Sequence, residues 1–207
     1  MIEHDGEPIP GLPGRLPPGE RILWQGRPEW RALARTAFHT RLVAGYFVVL
    51  TLVALIGGSP SGVVMTAVAG AAGLALLHLL AWGSARTTIY TLTNRRIVLR
   101  IGIAVPKCMN VPLAAIASVD LAARADGTGD LPLTLTGAPV LGWLALWPHA
   151  RAWRVTTPQP MLRAVPDAGA VAALIARTCL MANPAGRVTA VATPARPVPA
   201  LAEAQLA

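Results

Sequence analysis

Hydrophobic residues divide the chain into a long uncharged stretch and a later region of alternation. Residues 42–85 contain no Asp, Glu, Lys or Arg, and the sequence Gly-Gly-Ser-Pro-Ser-Gly at 57–62 interrupts them near the middle. A membrane-spanning helix needs roughly 20 apolar residues to cross about 30 Å of hydrocarbon, and an ionised side chain at the bilayer centre opposes insertion. The pattern predicts a transmembrane helical hairpin over 42–85, with spans over 42–56 and 63–82 and a turn near 57–62.

After the hairpin, the period of the apolar residues changes to two. Alternating runs begin at Arg96, Ala117, Leu131 and Leu141. Alternation is typical of half-buried strands, whereas the apolar residues between Val171 and Cys179 have the spacing of one helix face. The sequence therefore predicts an α+β membrane protein, in which the hairpin precedes an antiparallel β domain over 86–183 that is closed by a C-terminal helix over 168–181.

Neither end of the chain shows a long run of apolar residues with a period of two or with the spacing of a helix face. Residues 1–41 begin with a Pro- and Gly-rich arm, continue in a short predicted strand over 20–26, and end in an amphipathic lead-in to the hairpin. Residues 184–207 are rich in Ala, Pro and Val, and we expect them to be disordered. The acidic start has no basic segment followed by an apolar core, so no cleaved signal peptide is expected.

Charge sets the expected topology. The chain has 18 Lys and Arg residues against 10 Asp and Glu residues, a net charge of +8. The arginines that flank the uncharged stretch are Arg31, Arg35, Arg41, Arg86, Arg95 and Arg96. Because basic residues stay on the cytoplasmic side, we expect a multi-pass protein of the bacterial inner (intracytoplasmic) membrane with both termini and the β domain in the cytoplasm.

This topology also explains the basic excess without a nucleic-acid partner. The arginines are dispersed along the chain and form no known nucleic-acid-binding motif, so no nucleic-acid partner is expected. Arginines next to the spans lie close to anionic lipid headgroups instead. The lipid bilayer is therefore the first expected partner.

The sequence contains no motif for catalysis or metal binding. It lacks the GxSxG, Walker and HExxH signatures, and no predicted helix carries a pair of carboxylates. Asp126 and Asp130 flank a Gly-rich turn, which supplies too few oxygen atoms for a calcium loop. We therefore expect a protein that is not an enzyme and that holds no metal ion.

Two groups of aromatic and basic residues outside the hairpin are the candidates for binding a partner. Trp and Arg often dominate protein interfaces. Alternatively, these tryptophans lie at the headgroup level of the membrane or in the domain core, and the sequence leaves both interpretations open. The first group is Trp24, Arg27 and Trp30, and the second is Trp147, His149, Arg151, Trp153 and Arg154.

His78 is the one ionisable residue inside the predicted second span. Ionisable residues in membrane helices are candidates for function by default. One interpretation is a ligand for the magnesium of bacteriochlorophyll, as in light-harvesting polypeptides, and the other is a neutral histidine hydrogen-bonded within the hairpin. Small residues nearby, such as Gly70 and Ala71, favour close helix packing, either within the hairpin or in a homodimer.

Residues 90–96, Tyr-Thr-Leu-Thr-Asn-Arg-Arg, follow directly after the predicted hairpin. This arrangement resembles the bacterial pleckstrin-homology-like (PH-like) membrane domains. The resemblance implies two spans joined to a small cytoplasmic β-barrel or bent sheet that a C-terminal helix caps. That order of elements agrees with the order predicted from the periodicity.

Further segments over about residues 8–182 resemble the PuhB-type photosynthetic-complex assembly proteins of purple bacteria. The segments are 16–20 (Leu-Pro-Pro-Gly-Glu), 22–28 (Ile-Leu-Trp-Gln-Gly-Arg-Pro), 37–39 (Ala-Phe-His), 127–130 (Gly-Thr-Gly-Asp), 146–151 (Leu-Trp-Pro-His-Ala-Arg) and 158–164 (Pro-Gln-Pro-Met-Leu-Arg-Ala). The resemblance implies a membrane factor that helps to assemble the reaction centre and its light-harvesting 1 antenna. The resemblance assigns no functional role to any particular residue of this chain.

From this resemblance we expect a non-catalytic assembly factor that docks transiently to its partners. The hairpin would pack beside reaction-centre or light-harvesting 1 helices, and the Trp and Arg groups would bind a cytoplasmic surface such as that of the H subunit. Two alternatives stay open. One is a carrier that delivers bacteriochlorophyll through His78, and the other is a lipid-sensing or scaffolding membrane domain unrelated to photosynthesis.

Overall fold

The computed structural model describes residues 9–103, 105–137, 146–151, 156 and 158–182, together with the backbone of 189–192. The elements before the β domain are β1 (Ile22–Gly26), α1 (Trp30–Thr36), α2 (Thr40–Ile56) and α3 (Pro60–Thr87). The elements that follow are β2 (Ile89–Thr93), β3 (Arg96–Ile101), β4 (Lys107–Pro112), a 3-10 turn (Leu113–Ala115), β5 (Ile116–Ala123), β6 (Gly129–Leu135), β7 (Met161–Val165), α4 (Ala168–Ala182) and β8 (Thr189–Ala192).

The strands form two four-stranded sheets, in the orders β1-β2-β3-β4 and β7-β6-β5-β8. All neighbouring strands are antiparallel except β5 and β8, which are parallel. Apolar side chains from both sheets form a single core, to which α4 adds Val171, Ile175 and Cys179. The predicted antiparallel β domain with a closing helix is therefore confirmed, and β1 joins it from the N-terminal side of the hairpin.

Three strands lie where the sequence pattern predicts none. In β4 only Met109 and Val111 are buried, so its alternation is too short to stand out. Strand β7 starts next to Pro160 and is only five residues long. Strand β8 lies in the segment 184–207 for which disorder is expected, and there β5 offers its open edge to any backbone, whatever the side-chain pattern.

The strand expected to begin at Leu141 lies mostly outside the described residues. Of that segment, the described residues are Leu146, which is helical, and Trp147, which lies in a turn, so neither lies in a strand. The turn continues through a cis peptide bond between Trp147 and Pro148.

Helices α2 and α3 pack against each other as an antiparallel pair. The hydroxyl oxygens of Thr51 and Thr66 lie 3.1 Å apart across the pair. A Cβ atom added to Gly70 would lie 2.9 Å from Cβ of Phe47, so glycine lets the two helices approach at this point. Gly70 thus serves packing within the pair, whereas its neighbour Ala71 is exposed, and a homodimer contact there stays a prediction.

Among the residues that the structure describes, one helix is long and apolar enough to cross a membrane, which is α3. Helix α2 has 17 residues, about 26 Å at about 1.5 Å per residue, and reaches the length of a span only together with α1, across a bend of 57°. The predicted hairpin of two spans is therefore supported for its second half, and the first span stays a prediction.

The segments at 16–20 and 90–96 meet in the fold. Both guanidinium nitrogens Nε and Nη2 of Arg96 donate to the Glu20 carboxylate, at 2.9 and 3.0 Å, and the Thr93 hydroxyl donates to it at 2.7 Å. Burial alone would raise the pKa of Glu20, but these hydrogen bonds outweigh it and lower the pKa below its ordinary value. The contact fixes the N-terminal arm to the turn between β2 and β3.

Candidate functional site

Helix α1 joins the end of α3 to the β domain. Glu29 caps α1, because its carboxylate accepts from the backbone N–H groups of Arg31 and Ala32, and its own N–H donates to the carbonyl of Ala164 in β7 at 2.8 Å. The small residues buried between α1, α3 and β7 are Ala32, Ala34, Ala37, Ala81, Ala85 and Ala164. We call this contact region the α1 junction.

A turn of the β domain adds an ion pair to the α1 junction. Asp126, in the turn between β5 and β6, accepts from Arg35 at 2.8 Å, and both side chains are about one-third exposed. Hydrogen bonds from Thr128 are the largest influence on the Asp126 carboxylate, and together with Arg35 they lower its pKa. Because the pair is exposed, its contribution to stability is small, about 1 kcal/mol or less.

Behind the junction lies a buried polar network centred on His149. The Tyr90 hydroxyl accepts from the backbone N–H of Arg163 at 3.0 Å, and in the histidine tautomer that gives its own proton an acceptor it donates to Nδ1 of His149, 2.8 Å away. The other ring nitrogen, Nε2, then carries the proton and donates to the Thr88 hydroxyl at 3.1 Å. These bonds tie the loop over 146–151 to β2 and β7.

The network is neutral at its centre. Burial, and secondarily the charge of Arg163, lower the pKa of His149 from 6.5 to about 3, so the ring is uncharged at neutral pH. Burial likewise raises the pKa of Tyr90, whose hydroxyl stays protonated. A neutral histidine that both accepts and donates fits the two hydrogen bonds observed.

Asp130 organises the charged side of the same region. Its Oδ1 atom accepts from Arg124 at 2.7 Å and from the backbone N–H of Ala164 at 2.8 Å. Ala164 is fully buried and has a left-handed backbone with φ of +49°, which Asp130 helps to hold. Burial lowers the pKa of Arg163, while the charge of Asp130 opposes that shift. The carboxylate therefore supports both the backbone of β7 and its partly buried cation, Arg163.

The loop over 146–151 presents one large aromatic side chain at the surface. Trp147 is 45% exposed, and its ring packs edge-on against Phe38 at a centroid distance of 5.4 Å. Its neighbour His149 is fully buried, and Arg163 donates to the carbonyl of Pro148 at 3.0 Å. Trp147 therefore stands on a loop that the interior holds in place, close to the α1 junction.

Comparison with known proteins assigns this architecture. Residues 41–178, from α2 to α4, match the family model named Bacterial PH domain. The chain belongs to the bacterial PH domain family. It is also 38% identical over 187 residues, which is 84% of this chain and 87% of the relative, to a protein of Rhodobacter capsulatus named "Uncharacterized 23.7 kDa protein in puhA 5′region". No solved structure matches this bacterial PH domain protein.

In this bacterial PH domain protein, the residues of the first candidate group lie in two different places. Trp24 and Arg27 lie beside α4, in a cleft that also contains Asp167 and Leu174. Trp30 lies on α1 and packs edge-on against His78, with ring centroids 6.5 Å apart. The residues grouped by the sequence therefore do not form one surface. Trp24 and Arg27 lie on the edge of the β domain, and Trp30 lies at the α1 junction.

The second group is also divided. His149 is fully buried in the network described above, so its side chain is not available to a partner. Arg151 donates to Asp120 at 3.0 Å and to Gln159 at 3.2 Å, and about one-third of its side chain is exposed. Trp153 and Arg154 lie outside the described residues. Of the described members of this group, which are Trp147, His149 and Arg151, Trp147 has the surface that a partner can contact most freely.

His78 lies on the exposed surface of α3 at the edge of an open cavity of about 610 Å³, which Trp30 and Arg31 also line. Its Nδ1 atom is 2.8 Å from the carbonyl oxygen of Leu74, one turn earlier. Because a carbonyl only accepts, Nδ1 carries the proton and Nε2 keeps a free lone pair. Both interpretations of His78 are compatible with this contact, since it is a hydrogen bond within the hairpin and leaves Nε2 free for a ligand.

Residue patterns did not point to the polar network. Thr88, Tyr90, Asp130 and Arg163 look like ordinary strand and turn residues in the sequence. Tyr90, Asp130 and Arg163, however, all fall within the segments that carry the family resemblances, as His149 does. The resemblance was therefore the one signal able to find them, because it marks residues that a shared fold uses together.

Proposed function

We propose that this protein is a non-catalytic membrane factor for assembling the photosynthetic reaction centre and its light-harvesting 1 antenna. The observation that carries the proposal is the relative whose name places it at the 5′ side of puhA, a photosynthesis gene. The similarity covers nearly the full length of both chains, so it includes the hairpin as well as the β domain. The resemblance of the segments over 8–182 to the PuhB-type assembly proteins agrees with it.

The proposal includes the membrane topology expected from the sequence. Both α2 and α3 expose large apolar side chains along their length, among them Val49 and Val53 on α2 and Val64 and Val68 on α3. Lipid is the surrounding that such surfaces favour. We place α2 and α3 in the bacterial inner membrane, with both termini and the β domain on the cytoplasmic side, where the flanking arginines belong.

Docking is the proposed mode of action. The hairpin packs beside nascent helices of the reaction centre or of light-harvesting 1, and the surface near the α1 junction contacts a cytoplasmic part of the complex, the H subunit being the first candidate. Trp147 supports this choice because it is large, half exposed and held on a fixed loop. A fixed aromatic residue loses little conformational entropy when it is covered.

Affinity purification of the tagged full chain from phototrophically grown cells tests this mode of action. We expect reaction-centre and light-harvesting 1 polypeptides in the eluate of the wild type, and about tenfold less of them with Trp147→Ala. Ile103→Ala is the matched control, because Ile103 follows β3, outside the hairpin and the α1 junction, and is exposed to the same extent, 46% against 45%. Equal recovery with both variants, at unchanged melting temperatures, contradicts the role of Trp147.

The free Nε2 lone pair of His78 supports a second candidate function, in which the protein carries bacteriochlorophyll to the complex. An absorption spectrum of the same eluate tests it. A pigment carrier shows a near-infrared band that disappears in His78→Ala and persists in the control His39→Asn, which changes another exposed histidine at the hairpin. A colourless eluate, or a band that His78→Ala leaves intact, rules out the carrier role of His78.

A further inference from the structure

A cleft runs along the outer edge of β1. Two cavities of about 400 and 410 Å³ lie in line between this strand and α4, and both are lined by Leu174. Strand β1 is the last strand of its sheet and pairs on one side with β2, and no other described strand pairs with its outer edge. Alternate residues of such a strand direct backbone N–H and C=O groups away from the sheet.

Apolar side chains form the floor of this cleft. Leu23 and Trp24 from β1 and Leu174 from α4 are partly buried and pack against the core of the β domain. The Trp24 ring lies against Gly26, where a side chain would not fit. The floor is therefore continuous from the end of β1 to the last turns of α4, where Met181 is exposed.

Positive charge surrounds the cleft. Arg21 and Arg27 stand at the two ends of β1, and Arg177 stands on α4 and lines the same cavity as Arg21. All three are exposed, and Asp167 is the one carboxylate among the described residues that line the cleft. A ligand that complements these residues is acidic, with apolar groups on the side that faces Leu174.

We propose that this cleft binds an extended acidic segment of a partner protein, which adds to β1 as a fifth strand. A five-residue strand extends about 17 Å at about 3.4 Å per residue, which is the length that β1 offers for pairing. Backbone hydrogen bonds supply binding, and the alternation of acidic and apolar side chains supplies selectivity. The inference rests on the proposed docking function only because it assigns the segment to a protein to which this chain docks.

The test uses a fluorescent nine-residue peptide of alternating Glu and Val and the full chain in detergent micelles, with binding followed by anisotropy. We expect N-methylation of every second amide to weaken binding about tenfold in one of the two registers and less than about twofold in the other. Only pairing with a strand edge distinguishes the registers. Absence of binding, or equal effects of the two methylation patterns, overturns the proposal.

Charge reversal locates the site. Arg27→Glu is expected to weaken peptide binding about tenfold, whereas Lys107→Glu, the same charge change on the opposite edge strand β4, changes it by less than about twofold. Equal effects of the two variants overturn the assignment to this cleft. A variant with Glu3→Gln, Asp5→Asn and Glu7→Gln that binds about tenfold tighter assigns the cleft to the acidic start of the chain itself and likewise overturns it.

The outcome is independent of the photosynthetic complex, since no component of that complex is present in the binding assay. Failure of the peptide to bind therefore removes the strand-addition site and leaves the recovery of complex subunits by the wild-type protein unaffected. Conversely, a protein that binds the peptide but recovers no complex subunits retains the cleft and loses the proposed function.

Discussion

Replacing His149 with Ala is expected to lower the free energy of unfolding of the β domain by about 2–4 kcal/mol at pH 7. The substitution removes the acceptor of the Tyr90 hydroxyl and the donor to Thr88, and it leaves a cavity in a fully buried place. Chemical unfolding of the full chain in detergent, followed by tryptophan fluorescence, measures the change.

His149→Gln is the matched control, because an amide supplies one acceptor and one donor without a group that titrates. We expect it to lose less than half of the free energy lost by His149→Ala. If the two variants are equally unstable, the loss comes from packing around the imidazole and the hydrogen-bond account is wrong.

The lowered pKa of His149 predicts that the free energy of unfolding depends on pH, and His149→Gln tests this prediction. Below pH 6.5 the unfolded chain protonates His149, while the folded chain does not accept that proton until the pH approaches about 3. Stability is therefore lost as the pH falls through this window, by about 1.4 kcal/mol per unit from this group. The stability of His149→Gln should fall less steeply than that of the wild type between pH 6 and 4, and parallel curves would contradict a neutral His149.

Asp130→Ala is expected to be the most destabilising single change in the β domain, at about 3–5 kcal/mol. It leaves the buried N–H of Ala164 without its acceptor and removes the charge that faces Arg124 and the partly buried Arg163. Both losses act on β7. The Ala164 carbonyl of this strand also accepts from the N–H of Glu29, the residue that caps α1. Unfolding of the purified variant in detergent measures the effect.

Asp130→Asn separates the two contributions. Its amide oxygen still accepts from the Ala164 N–H but carries no charge, so we expect an intermediate loss. A variant as stable as the wild type would show that the charge near Arg163 is unimportant, and one as unstable as Asp130→Ala would assign the whole effect to charge.

The elements with strong periodicity were predictable from the sequence. The uncharged stretch predicted the ends of the two hairpin helices to within a few residues. The alternation after Arg96, Ala117 and Leu131 predicted β3, β5 and β6. These patterns are strong because one face of each element is buried over several residues. Strand β4 escaped prediction because only two of its residues are buried. Strand β7 escaped because four of its five residues are buried, so it shows no alternation of buried and exposed positions.

The candidate site was predictable in residue type but not in arrangement. Trp24 and Trp30 are six positions apart in sequence, yet β1 ends between them, and they lie on the edge of the β domain and at the α1 junction. His149 looks like a surface histidine between tryptophans and arginines, but Tyr90 and Thr88, about 60 residues earlier, enclose it. Sequence spacing carries no information on contacts between residues so far apart.

The most direct measurement of the central claim is the amount of assembled reaction centre and light-harvesting 1 in membranes of a strain that lacks this gene. The near-infrared absorption of membranes from cells grown under identical conditions reports it. We predict a lower absorption than in the wild type, restored when the wild-type gene is returned on a plasmid. Unchanged absorption in the deletion strain would contradict an assembly function and favour a lipid-sensing or scaffolding domain unrelated to photosynthesis.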